Sequence, residues 1–190
     1  MIIGLTGPMG SGKTTVVEAL EKKGFSHITL SDILREEAKK QGKPEERTVL
    51  MEIGQRFREE HVAGVLGKKV REKIEASPKG NWIADGIRNP AEVTELKKAK
   101  DFVLIANTAP ENLIIKRILA RKRADDTLDE LSIRKKLHRE MGEGEPPEGQ
   151  QVAKCIELAD YVFENTMPMD EVEVEFMKLY NRIGSNHPTP

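Results

Sequence analysis

Residues 7–14, Gly-Pro-Met-Gly-Ser-Gly-Lys-Thr, fit the pattern G-x-x-x-x-G-K-[ST] at every position. The pattern constrains the fold because it works in only one setting. Its glycines let backbone N–H groups converge on phosphate oxygens, and a helix must open behind it to add the positive end of its dipole. The flanks supply that setting. MIIGLT (1–6) is a short apolar, β-branched run that reads as a buried strand. The residues after Lys13 place Val16, Val17 and Leu20 at helical spacing, with Gly24 as a C-cap. A glycine turn that merely joins strand to helix is the competing reading, and the strand–loop–helix context argues against it. Gly7, Pro8, Met9, Gly10, Ser11, Gly12, Lys13, Thr14 and Thr15 are therefore expected to cradle a nucleoside triphosphate. Lys13 would reach the β and γ phosphates, and the Thr14 hydroxyl would ligate Mg²⁺.

Downstream, SHITL is a second strand, followed by a helix with Ser31 as N-cap that ends near Gly42. From Glu45 to about Glu75 the pattern is charged and helical, with Leu50, Ile53, Phe57, Val62 and Val65 as the buried stripe. NWIADG and DFVLIA are strands separated by a helical PAEVTELKKAK. Pro110 opens a further helix, TLDELSIRKKLHREMGEG is another, and 142–149 is a loop by composition. DYVFEN is the fifth strand, and the last helix runs to about Ile183 before a frayed tail at 184–190. Short apolar strands alternating with helices predict a three-layer α/β/α fold on a five-stranded parallel sheet, as one domain over 1–183. The helical stretch at about 31–76 is long enough to form an acceptor flap, and about 117–140 would be a short lid.

Composition excludes more than it selects. With 31 Lys and Arg against 32 Asp and Glu, the net charge of −1 gives no general pull towards nucleic acid or an anionic membrane. Cys155 is the only cysteine, so no internal disulfide or cysteine metal cage is expected. No signal peptide or membrane-length apolar run is visible, and a cytoplasmic location is expected.

Candidate site residues gather at strand ends. Asp85-Gly86-Ile87-Arg88 closes the third strand, where open α/β sheets bind ligands. Asp85 is placed to hold Mg²⁺ through water, Gly86 to let the backbone come close, and Arg88 to project towards the site. A strand-ending turn with a solvated arginine is the alternative. Asp32 and Arg35 follow the second strand, three residues apart on one helix face. Asp32 is either a catalytic base or a first-turn acid favoured by the helix dipole, while Arg35 suits an anionic acceptor. Arg117 and Arg121 share a helical face, with Arg123 beyond and Arg134 on the next helix. They could neutralise a migrating phosphoryl group or form a solvated basic face; a nucleic-acid patch is weaker, because acidic residues follow at once. Arg56 and Arg58 lie on the flap, where either could touch the acceptor. His27, His61, His138 and His187 show no metal-ligand spacing, Trp82 reads as core, and Met51, Met141, Met167 and Met169 as packing.

On these residues the chain resembles the P-loop nucleoside and nucleotide kinases. SDILR resembles the acceptor-phosphate motif of adenylate kinases, DGIR their Asp-Gly-Phe-Pro-Arg stretch with one residue fewer, and RILAR followed by RADD their lid arginines. The resemblance implies that Arg35 and Arg88 grip the acceptor, and that Arg117, Arg121, Arg123 and Arg134 grip the migrating phosphate. MEIGQRFREEHVAG and IADGIRNPAEVTELKK are similar to phage-type deoxynucleoside monophosphate kinases and to an archaeal group of adenylate-kinase-related proteins. IGLTGPMGSGKTT and ELADYVFENTMPMDEV are similar to dephospho-coenzyme A kinases, whose Ala-Asp-x-Val-x-x-Asn strand borders the adenine, which implies Asn165 beside the base. The likeness covers about residues 2–180. It departs from adenylate kinases in lacking their proline and in a very short lid, and 45–76 does not match the acceptor domain of dephospho-coenzyme A kinases.

The expected activity is ATP- and Mg²⁺-dependent transfer to a small nucleotide, a nucleoside or deoxynucleoside monophosphate, by a monomer or homodimer. One alternative is a hydroxyl acceptor (dephospho-coenzyme A or a hydroxymethylated base in DNA, the only role for nucleic acid). Another is a regulatory ATPase or switch, against which stands the absence of an Asn/Thr-Lys-x-Asp guanine-reading motif.

Overall fold

The computed structural model describes residues 1–121 and 129–186. Its strands are β1 (Ile2–Thr6), β2 (Ser26–Thr29), β3 (Trp82–Ile87), β4 (Phe102–Thr108) and β5 (Tyr161–Glu164). They form one five-stranded sheet in the order β2-β3-β1-β4-β5, every pair parallel. The helices are α1 (Lys13–Glu21), α2 (Leu30–Lys40), α3 (Arg47–Glu60), α4 (Val65–Glu75), α5 (Pro90–Leu96), α6 (Glu111–Arg121), α7 (Glu130–Met141), α8 (Val152–Glu157) and α9 (Val172–Asn186).

Side-chain alternation along the strands builds two cores. Ile3, Leu5, Ile83, Val103 and Ile105 point to one face, where α1 and α9 contribute Val16, Leu20, Phe176 and Ile183. Ile2, Ile28, Ala84 and Leu104 point to the other, under Leu34, Ile53, Val70, Val93 and Cys155. β1 sits between β3 and β4 and is buried on both faces, which is why it reads as an unbroken apolar run. The β1–β3 register shifts between Leu5 and Thr6, as the chain bulges at Gly86 (φ +82°). The bulge brings the Thr6 hydroxyl to the Ile87 carbonyl at 2.9 Å and sends Arg88 off the strand end.

The structure departs from the sequence expectation at several element ends. α2 is capped by Thr29, not Ser31. The Thr29 hydroxyl accepts from the Asp32 N–H at 3.0 Å and the Asp32 carboxylate accepts from the Thr29 N–H at 2.7 Å, a reciprocal box that starts the helix as soon as β2 ends. The 45–75 stretch breaks into α3 and α4. Ile53, Phe57 and Val65 are buried and Leu50 half-buried, but Val62 falls in the break and is 69% exposed. Met51 and Met169 are exposed and do not pack. α9 continues through residues 184–186, which were expected to fray. Among the described residues, no helix is long and apolar enough to cross a membrane.

Candidate active site

The loop between β1 and α1 is pressed against the carboxyl ends of β4 and β5. Asn107 and Asn165, both fully buried, donate from their side-chain amides to the Ser11 carbonyl at 2.5 and 3.0 Å. The approach leaves no room for a side chain at Gly7 or Gly12. A Cβ at Gly7 would lie 2.0 Å from the Asn107 carbonyl oxygen, one at Gly12 would lie 2.1 Å from the Asn165 amide nitrogen, and both glycines have positive φ. Gly12 then leads into α1, so the first N–H groups of the helix open at the loop with Thr14 exposed and Thr15 half-buried beside them.

Two of the expected site residues are tied into this packing. The buried Asn165 side chain supports the loop through Ser11. The Arg117 guanidinium donates to the Asn165 carbonyl and side-chain oxygens at 3.1 and 3.0 Å and to the Met167 carbonyl at 3.3 Å. Asn107 was not anticipated. A polar residue ending the apolar run of β4 was its only signal.

Around Lys13 the charged groups of four segments meet. Its ammonium folds back onto the Gly7 and Pro8 carbonyls at 2.5 and 2.9 Å. Burial lowers its pKa from the ordinary lysine value; Glu140 and Asp85 oppose the shift, and Arg88 and Arg121 add to it. Asp85 accepts from the Gly86 N–H at 2.6 Å and lies 3.8 Å from the His27 imidazole, a close charge partner. Burial pushes the Asp85 carboxyl up, but His27, Lys13 and the Gly86 N–H outweigh it and leave the pKa below the usual range. The Asp85 contact in turn raises His27 against its own desolvation. An ionised carboxylate facing the phosphate loop, with the exposed Thr14 hydroxyl at the start of α1, is a donor set of hard oxygens that suits Mg²⁺. Among the described residues, no cluster of three or more His, Cys, Asp or Glu offers a metal cage elsewhere.

Arg88 leaves β3 towards this group. Its Nε donates to Glu140 Oε1 at 3.1 Å, and Glu140 Oε2 accepts the Met9 N–H of the loop at 2.7 Å. Glu140 is buried at the end of α7 and was missed in the sequence, where REMGEG reads as an ordinary charged helix end. Asp32 and Arg35 form an ion pair at 2.7 Å at the start of α2, following β2, which neighbours β3. Arg134 stands apart from the Lys13 group, paired with Glu111 and Glu130 between α6 and α7. Glu111 of α6 and Glu130 of its own helix share its charge. Arg121 ends α6 within the charge field of Lys13. Arg123, and the part of the expected lid around it, lie outside the described residues, as does the side chain of Arg58 on α3.

The model of the AAA domain matches residues 6–134. The UPF0200 protein of Sulfurisphaera tokodaii is 37% identical over 183 residues, covering 96% of this chain and 97% of that one. The chain belongs to the UPF0200 family. A second UPF0200 protein, from Pyrococcus horikoshii, is 34% identical over 99% of this chain and the whole of its own. Among solved structures, TT1252 from Thermus thermophilus superposes with a TM-score of 0.61 at 18% identity, covering 96% of this chain and 97% of that one. Shikimate kinase from Acinetobacter baumannii, solved with shikimate, gives 0.58 at 19% identity over 99% and 95%. The UPF0200 chain thus has the α/β P-loop kinase fold, with its phosphate loop, Asp85 and Arg88 at the carboxyl edge of the sheet.

Proposed function

We propose that the chain is an ATP- and Mg²⁺-dependent phosphotransferase whose acceptor is a nucleoside or deoxynucleoside monophosphate. The observation that carries this reading is the pairing of an open cation with a committed carboxylate at adjoining strand ends. Arg88 keeps both Nη nitrogens without a hydrogen-bond partner among the described residues, while both oxygens of Asp32 are bound to Thr29 and Arg35. An acceptor that is itself a phosphate needs a guanidinium fork and no strong base. In this scheme the loop N–H groups hold the donor phosphates. Lys13 exchanges the Gly7 and Pro8 carbonyls for phosphate oxygens, and Arg88 and Arg35 orient the acceptor. Thr14 and Asp85 would hold Mg²⁺, which supplies charge neutralisation on the donor phosphates when bound.

A second reading, transfer to a hydroxyl, draws on the shikimate kinases among the structural neighbours. There Asp32 would be the base, freed from Arg35. The two are separated by measuring ADP formation across ribo- and deoxyribonucleoside monophosphates, shikimate, dephospho-coenzyme A and hydroxymethylated DNA, with Lys13→Ala as control. Stimulation by one monophosphate, abolished in Lys13→Ala, is the expected result. Stimulation only by a hydroxyl compound moves the chemistry to Asp32. Slow hydrolysis indifferent to every acceptor leaves a nucleotide switch.

A further inference from the structure

We propose that Glu140 is a positioning residue that ties the acceptor arginine to the phosphate loop. Its carboxylate holds the Arg88 Nε and the Met9 N–H together, so that the free edge of the guanidinium is presented to the reacting phosphates. The proposal rests on reading Arg88 as the acceptor's cation.

The Glu140 side chain is 8% exposed, and a carboxylate so far from water persists only with charged or hydrogen-bonding partners. Both of its partners belong to the candidate site: the loop N–H at 2.7 Å and Arg88 at 3.1 Å. A surface-stabilising pair would have no reason to reach the loop backbone. The Arg88 side chain is 39% exposed, and its Nη1 and Nη2 carry no hydrogen bond among the described residues. Pairing through Nε leaves the Nη edge for a second anion, the two-nitrogen geometry that phosphate accepts. The backbone is fixed from the same segment, since the Arg88 carbonyl accepts from the Gln151 N–H at 2.7 Å, shortly after α7 ends at Gly142. Arg88 is thus clamped at both ends by one stretch of chain.

The test uses Glu140→Gln, Glu140→Asp, Arg88→Ala and the Arg88→Ala/Glu140→Gln double variant in the full chain. Four readouts are compared: melting temperature, ATP affinity, acceptor kinetics and the Arg88 Nε–H proton resonance, assigned by its loss in Arg88→Lys. Glu140→Gln is expected to lower kcat/KM for the acceptor by about 30-fold or more, the scale of losing one partner of a buried charge pair. ATP affinity should stay within about threefold and Glu140→Asp should recover part of the rate. In the Arg88→Ala background the Glu140→Gln change should add less than about twofold, because the arginine through which it acts is gone. Full additivity in that background, or an unchanged Glu140→Gln rate, overturns the proposal. If Glu140→Gln melts far below the wild type, Glu140→Asp replaces it in the cycle under the same criteria. Failure of the transfer reading would show separately, as a wild-type protein that no acceptor stimulates. The resonance then decides: it should exchange faster with water in Glu140→Gln, and indifference to that change rejects the clamp.

Discussion

The Thr29 N–H and the Arg35 guanidinium occupy the two oxygens of the Asp32 carboxylate. Burial alone would raise its pKa, but the Thr29 contacts and Arg35 outweigh it and hold the group below the ordinary value of 3.8. A carboxylate held down in this way is a weaker base, which supports the proposed phosphate acceptor over a hydroxyl. The same shift has a sign for stability. A group whose folded pKa is depressed stabilises the fold above its unfolded pKa and loses that contribution as pH falls through the folded value. Urea midpoints for the wild type should therefore drop as pH is lowered from about 4 downwards. Asp32→Asn should start lower at neutral pH and show a shallower acid limb; parallel curves would remove Asp32 from the acid response. The Asp32–Arg35 spacing was legible because both partners lie on one helical turn. Glu140 and Asn107 were not, since their loop partners are 131 and 96 residues away and no local pattern marks such a pair.

At the level of elements, Asn89 joins three pieces of chain. Its side-chain oxygen caps α5 through the Ala91 N–H at 2.9 Å, and its amide donates at 2.8 Å to each of the Pro147 and Gly149 carbonyls. The loop before α8 is thereby fixed to the residue that follows Arg88. Asn89→Ala removes a cap and leaves buried carbonyls unpaired, and should cost about 2–4 kcal/mol by urea denaturation. Asn89→Ser, able to cap but not to span the gap, should fall between the two. This helix was legible over PAEVTELKKAK, though without Asn89 named as its cap. α8 was not, because a helix this short, between a glycine-proline loop and a strand, carries too few turns to show a period. The break that exposes Val62 was hidden for the opposite reason: Phe57, Val62 and Val65 read as one apolar stripe straight across it, although Gly64 stands within it.

On the scale of the molecule, strand–helix alternation gave the layers and all the strands, while the order β2-β3-β1-β4-β5 depends on pairings the alternation does not encode. Cys155 samples the core on the α2–α5 side: it is fully buried, and burial pushes its thiol up to about 12. Maleimide or disulfide reagents should therefore label it only through opening of the fold. Saturating Mg²⁺–ATP should slow labelling in proportion to 1 + [ATP]/Kd, and Lys13→Ala should lose that protection. Fast labelling of the native protein, indifferent to ATP, would contradict both the burial and the binding.

The central place of β1 also sets a timetable. Ile2 pairs with Trp82 on one side and Phe102 on the other, so the first strand made must wait for partners encoded 80 and 100 residues later. At typical translation rates the delay is about 4–20 s. Throughout that interval the Ile-Ile-Gly-Leu segment has no sheet to join, a natural client for a holding chaperone.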